Sequence, residues 1–177
     1  MSILLKNGSL KGEKNVDILI ENDKISKVAP GNSLKDDKAE VIDLTGLIIL
    51  PGLVDLHTHL REPGREDAET VATGSAAAAR GGFTAVHAMA NTLPVADTAG
   101  VVEQVWNLGK SIGLVDVYPV GAVTIGLKGE NLAELSAMAD STARVRIFSD
   151  DGHCVSDPVL MRRALEYVKA FNGILIQ

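Results

Sequence analysis

Aromatic side chains are scarce: only 3% of the 177 residues are Phe, Trp or Tyr. A core must therefore be assembled from Ala, Val, Leu and Ile. There is a single cysteine, Cys154, which excludes an internal disulfide framework and fits a reducing cytosol. Positive charge is not in excess. The 17 Lys and Arg stand against 23 Asp and Glu, for a formal net charge of -6, so there is no electrostatic case for nucleic acid or an anionic membrane. No apolar run approaches a membrane span, and the start has no basic segment leading into an apolar one. With the free thiol, these absences point to the cytoplasm. No Gly-x-Gly-x-x-Gly follows an apolar run. What remains is an ordinary globular composition, 46% hydrophobic and 23% charged, with room for a substantial core.

Up to about residue 50, short apolar runs alternate with turn clusters. The run 2–6 precedes Asn7-Gly8, a strong turn dipeptide. The run 16–20 precedes Glu21-Asn22-Asp23 and then 24–28, and the run 41–44 leads to Gly46. These are hairpin-sized strands without competing helical periodicity. They predict a β module over 1–50, too small to bury a good core alone.

From Ile48 the pattern becomes strand, helix, strand, helix. An Ala-rich helix is expected over about 67–80, stopped by Gly81-Gly82, with a second strand over 83–89. Asp97 stands where it can cap a helix running through Val102, Val105 and Leu108 to Gly113. A third strand covers 115–122, and Asn131 and Glu134 have capping-box spacing ahead of Leu135 and Met138. A fourth strand covers 145–148. Asp157 then Pro158 reads as an N-cap with proline at the first helical position, and that helix ends at Asn172-Gly173 before a fifth strand at 174–176. The alternation implies an α/β fold with parallel strands and right-handed crossovers. A (β/α)8 TIM barrel and a doubly wound sheet both satisfy it; residues of chemical interest at strand C-terminal ends suit the barrel.

The most informative stretch is Asp55-Leu56-His57-Thr58-His59, entered from the apolar run 49–54. Alternate side chains of a strand share a face, so His57 and His59 point the same way. Two neutral imidazoles at a strand end, followed by a turn, can seat zinc or a similar divalent metal. A bare His-x-His is a weak pattern; its surroundings give it weight.

Those surroundings, Pro-Gly-Leu-Val-Asp-Leu-His-Thr-His-Leu-Arg-Glu-Pro-Gly at 51–64, resemble the opening barrel strand of the amidohydrolase superfamily. The His-Leu-Arg-Glu-Pro-Gly extension resembles bacterial dihydroorotases of the type closest to hydantoinases and allantoinases. Ala88-Met89-Ala90-Asn91-Thr92-Leu93-Pro94 is similar to the family's Met-Pro-Asn-Thr-x-Pro, with Ala90 in place of proline, and Phe148-Ser149-Asp150-Asp151-Gly152 is similar to its fourth-strand signature. The resemblance covers essentially the whole chain. It implies the N-terminal part of a TIM barrel over 51–177, about four and a half βα units, ending in the fifth strand. The 1–50 module would be part of a β-sandwich completed by distant C-terminal strands. The chain thus reads as the first part of a longer protein, with these 177 residues inactive alone.

The resemblance also implies a site. His57, His59 and Asp151 would hold zinc, one or two ions per full-length subunit, with the adjacent Asp150 as rival carboxylate. Residues 145–152 contain no lysine, which argues against the carboxylated-lysine hydantoinases and dihydropyrimidinases. His59, Leu60, Arg61 and Asn91 would bind substrate. Arg61 and Asn91 would hold a carboxylate, a task suited to the rigid guanidinium fork; the plainer role for Arg61 is an ion pair with Glu62 or Glu66, and for Asn91 a turn or cap. The implied reaction interconverts N-carbamoyl-L-aspartate and dihydroorotate in pyrimidine biosynthesis, using a water acidified by zinc to a pKa of about 7. The proton-shuttling aspartate is expected beyond Gln177. Implied partners are the small-molecule substrate, a second subunit in a homodimer, and aspartate transcarbamoylase. Two alternatives stay open: another cyclic-amide hydrolase such as an allantoinase or hydantoinase, and a non-catalytic dihydroorotase-like partner of aspartate transcarbamoylase. Elsewhere, His87 reads as a satisfied histidine within its strand, His153 as an exposed loop residue and Cys154 as a packed, unreactive thiol.

Overall fold

The computed structural model describes residues 2–12 and 14–177. They divide into two compact units, one up to Pro51 and one from Gly52.

The first unit holds five strands, β1 (Ser2–Leu10), β2 (Lys14–Glu21), β3 (Lys24–Pro30), β4 (Glu40–Asp43) and β5 (Ile48–Ile49). They form one sheet in the order β3-β2-β1-β4, with β5 also on β1. The hairpin between β2 and β3 turns at Asn22 and Asp23, whose φ values of 51° and 60° are those a tight right-twisted hairpin requires. Asn7-Gly8, expected to turn, does not. β1 runs straight through it, with a register shift against β2 between Leu5 and Gly8. Asn7 takes a φ of 59° and donates its N–H to Asp17 Oδ1 at 3.0 Å, so the turn-forming dipeptide serves as a bulge. β4 and β5 run parallel to β1, not as hairpin partners. Ile48, expected to open the βα region, therefore belongs to this sheet. Leu4, Val16 and Ile18 are buried, whereas Ile25, Val28, Val41, Leu47, Ile48 and Leu50 are exposed. The core is small, as the composition of this segment implied.

The second unit alternates β6 (Leu53–Thr58), α1 (Val71–Arg80), β7 (Phe83–Ala88), α2 (Ala99–Ile112), β8 (Asp116–Pro119), α3 (Leu135–Asp140), β9 (Ile147–Ser149), α4 (Pro158–Val168) and β10 (Ile174–Ile176). β6, β7 and β8 are parallel neighbours, as are β9 and β10. A parallel bridge between Gly121 and Phe148 joins the two sets. Each strand thus lies beside its predecessor in sequence, an α/β arrangement that carries every strand's C-terminal end to one side.

Helix starts depart from expectation at α1, α2 and α3. α1 begins at Val71, four residues after the expected start, because Thr70 and Thr73 cap each other: each backbone N–H donates to the other's Oγ1 at 3.1 Å. Asp97 does not cap α2. Its carboxylate accepts the N–H of Gly126 at 2.9 Å, and the helix begins after Thr98 without a side-chain cap. No capping box forms between Asn131 and Glu134; α3 is a short helix after an uncapped Glu134, and the Asn131 carbonyl accepts from Ile125 instead. Asp157 does cap α4, accepting from Val159 N at 2.8 Å, with Pro158 in the first turn.

Two apolar clusters fill this unit. One gathers Val102, Val123, Leu135, Met138, Val145, Phe148 and Leu160. The other gathers Leu60, Val71, Val86, Val105 and Val117. Among the described residues Phe148 is the only aromatic side chain in the set of large, fully buried ones, so aliphatic packing carries the core. At Gly109 of α2 an added Cβ would fall 2.5 Å from Val117 Cβ, which sets how closely this helix approaches β8.

Candidate metal centre

The site is built where β6 and β9 end. His57 is the penultimate residue of β6 and His59 lies one residue beyond its end. Thr58 between them donates its hydroxyl to the His87 carbonyl of β7 at 2.9 Å, and the Asp55 carboxylate accepts His57 N–H at 3.0 Å. The first bond holds the strand end against β7, and the second braces it within β6. Asp151 follows β9 by two residues.

His57 Nε2 lies 3.2 Å from Asp151 Oδ1, and His59 Nε2 lies 3.5 Å from Asp151 Oδ2. One ligand atom from each of the three residues lies within 4.8 Å of the others. The chemistry of this donor set tests whether a metal fits. A carboxylate only accepts hydrogen bonds, and a neutral imidazole nitrogen without a hydrogen carries a lone pair. Facing them at these distances is repulsive unless a proton or a metal cation stands between. Two imidazoles and a carboxylate are a common ligand set for zinc, and three protein ligands leave a position open for water or substrate.

Asp150 has the other job. It is buried, its Oδ1 accepts Val123 N at 2.8 Å and Thr124 N at 3.0 Å, and its Oδ2 accepts the Thr124 hydroxyl. Thr124 Oγ1 in turn accepts Gly129 N at 2.9 Å. Asp150 thus anchors the end of β9 to the loop after β8 and points away from the histidines.

Asn91, after β7, lies between two of the three grouped residues. Its Oδ1 is 3.0 Å from His59 Nδ1, and its Nδ2 donates to Asp151 Oδ2 at 3.2 Å. Nothing in the sequence signalled this, since sixty positions separate Asn91 from Asp151. Arg61 has a φ of 59° and is half-buried. Among the described residues no carboxylate pairs with it. Glu62 accepts Val71 N at 2.8 Å at the start of α1, and Glu66 accepts Gly64 N at 2.8 Å. Leu60 is buried, with its side chain in the cluster between α1 and β7; a Cβ at Gly74 would fall 2.4 Å from Leu60 Cδ2.

His87 is satisfied inside β7, with Nδ1 3.2 Å from the Asp55 carbonyl and its ring stacked on Tyr118 at 5.2 Å. His153 is exposed, as expected. Cys154 is exposed, not packed. Gly152 at a φ of 84° turns the chain outward, and Val155 takes the buried position instead. A cavity of about 290 Å³ opens beside the group, lined by His57, Ser149, Asp151, Gly152, His153 and Cys154 among others. No helix is long and apolar enough to cross a membrane among the described residues.

The dihydro-orotase-like family model matches residues 46–177. The dihydroorotase of Streptomyces coelicolor is 60% identical over 174 residues, which cover 98% of this chain and 40% of that protein. The dihydroorotase of Mycobacterium tuberculosis is 56% identical over 178 residues, covering 100% of this chain and 41% of its own. Among solved structures, an L-hydantoinase from Arthrobacter aurescens superposes with a TM-score of 0.79 at 21% identity, covering 98% of this chain and 39% of the other. A dihydropyrimidinase from Brevibacillus agri gives 0.71 at 23% identity, covering 99% and 39%. The chain therefore shares their fold and spans about 40% of the length of the curated relatives it matches. By the family match over residues 46–177, the chain belongs to the dihydro-orotase-like family.

Proposed function

We propose that the protein bearing this chain is a dihydroorotase, interconverting N-carbamoyl-L-aspartate and dihydroorotate in pyrimidine biosynthesis. The single observation that carries the reading is the convergence of His57, His59 and Asp151 in a chain so similar to dihydroorotases. These three residues hold a divalent metal, zinc by the nature of the set. When bound, zinc supplies Lewis acidity and a water acidified to a pKa of about 7. The protein's own groups do the rest. The unpaired guanidinium of Arg61 takes the substrate carboxylate as a two-point fork. Asn91 has one amide hydrogen left after bonding Asp151, and this second donor reaches the same carboxylate. Leu60, with its side chain buried, offers backbone groups at the rim, beside His59. Asp150 holds the β9 end so that Asp151 keeps its aim.

The parallel, sequence-ordered strands are read here as the first five of a (β/α)8 barrel, with the site at their C-terminal ends. The first unit is read as part of a β-sandwich domain over 1–50, followed by the barrel region from 51. The absence of lysine from 145–152 favours this reading over a hydantoinase with a carboxylated lysine, although hydantoinases share the fold. A cytoplasmic location fits the single cysteine, and assembly as a homodimer or with aspartate transcarbamoylase rests on the resemblance.

Side-by-side turnover of dihydroorotate, allantoin and hydantoin by the zinc-loaded full-length protein that bears this chain tests the reading. Dihydroorotate is expected to be turned over fastest, and His57→Ala to abolish both zinc content and turnover. Faster turnover of either other substrate would overturn it.

A further inference from the structure

We infer that Asn91 is a positioning residue of the metal group: its one carboxamide selects the tautomer of His59 and so keeps the ligating nitrogen free. The inference rests on the metal reading above and deepens it.

The argument is one of donors and acceptors. The Asp151 carboxylate can only accept, so the group of Asn91 facing it at 3.2 Å must be the amide NH2. That fixes the carboxamide, and its oxygen faces His59 Nδ1 at 3.0 Å. An amide oxygen only accepts, so Nδ1 must carry the hydrogen. Neutral imidazole has one N–H, and Nε2 is left with its lone pair. This is the atom turned toward the metal group, 3.5 Å from Asp151 Oδ2.

The selection matters because Asp151 favours the other tautomer. With the hydrogen on Nε2, His59 would donate to Asp151 and close off its own ligand atom. Asn91 outbids that arrangement from the far side of the ring. It is well placed to do so. Met89, Ala90 and Thr92 around it are all buried, Met89 N donates to the Thr58 carbonyl at 2.8 Å, and Ala90 O accepts from Ala96 at 3.0 Å. The backbone on both sides of Asn91 is therefore fixed, and the carboxamide arrives oriented. His57 has no comparable partner on its second nitrogen among the described residues. The set thus has one pre-oriented and one adaptable imidazole.

The test reads the tautomer directly. In the metal-free full chain at pH 8, long-range ¹H–¹⁵N correlation of labelled histidines reports which nitrogen of each ring is protonated, with His59 assigned by a His59→Gln variant. Wild type is expected to show His59 protonated at Nδ1. Asn91→Ala is expected to move the hydrogen to Nε2, and to weaken zinc binding, measured against a competing chelator, by about 10- to 100-fold. Asn91→Asp keeps an acceptor for Nδ1 but sets a second carboxylate against Asp151, so it is expected to restore the Nδ1–H form without restoring zinc affinity. A purely structural Asn91 would leave the tautomer unchanged in both variants, and that result, or Nε2–H in the wild type, would overturn the inference. If the wild type shows Nδ1–H yet binds zinc no more tightly than His57→Ala, the metal reading falls while the tautomer selection stands.

Discussion

Asp150 keeps both oxygens for buried donors from Val123 and Thr124, while Asp151, next along the chain, turns its carboxylate to two imidazoles. Truncating each should therefore fail differently. Asp150→Ala strands three buried donors, at about 1–3 kcal/mol each, and chemical denaturation should show a loss of several kcal/mol. Asp151→Ala, at a partly open position, should leave the unfolding midpoint of the metal-free chain nearly unchanged. The sequence offered two adjacent carboxylates and a family pattern but no physical means of choosing. Which one faces inward depends on donors at positions 123 and 124, more than twenty residues away. For Arg61 the sequence left an ion pair with Glu62 or Glu66 open; in the structure both carboxylates instead accept backbone N–H groups. Arg61→Lys keeps the charge and loses the fork. One charge-assisted hydrogen bond is worth roughly 1.5–3 kcal/mol, so kcat/KM for dihydroorotate should fall about 10- to 150-fold with zinc content intact. Ser75 of α1 is a further case: its buried hydroxyl has no partner among the described residues. Ser75→Ala should raise stability by about 1 kcal/mol, seen as a higher melting temperature.

At the scale of elements, local signals held in some places and were overridden in others. Asp157 caps α4 as its spacing to Pro158 foretold, because both partners lie within three residues. Asp97 had the same look, but Gly126 claims it across 29 positions. Asn7-Gly8 has turn chemistry, yet the sheet uses its left-handed backbone as a bulge around Asp17. Asp17 is fully buried and accepts N–H groups from Asn7 and Leu34, each at 3.0 Å. Burial alone would raise its pKa, but the backbone donors Leu34, Asn7 and Asn32 together outweigh burial and hold it below the ordinary carboxylate value. A carboxyl with a depressed folded-state pKa adds stability that is fully present above the unfolded value of about 3.9 and is lost as pH falls through the lower folded value. Urea unfolding below about pH 4 should show this loss, and Asp17→Asn should flatten it while lowering stability at pH 7 by about 1.5–3 kcal/mol. An unchanged pH slope in the variant would remove Asp17 from the account.

For the molecule as a whole, the alternation of apolar runs with helical segments was enough to imply parallel strands, but their order follows only from the pairing of β6 with β7, β7 with β8 and β9 with β10. The α/β class followed from Ala, Val, Leu and Ile patterning without any aromatic landmark. The place where one unit gives way to the next was less legible, since Ile48 and Ile49 are as apolar as the strand that follows them and only pairing with β1 assigns them. The metal group was readable in part: His57 and His59 by strand alternation and Asp151 by resemblance, while Asn91 was read as a substrate contact and not as a bridge between His59 and Asp151. The central claim is that those first three residues form one metal site. Zinc titration of the chelator-stripped full chain, followed by calorimetry and compared among wild type, His57→Ala, Asp151→Ala and Asp150→Asn, tests it most directly. The account predicts tight zinc uptake by wild type and a melting temperature that rises with zinc. Uptake should be lost in His57→Ala and Asp151→Ala, and retained by whatever fraction of Asp150→Asn is folded. Zinc bound as tightly by Asp151→Ala as by wild type would contradict it.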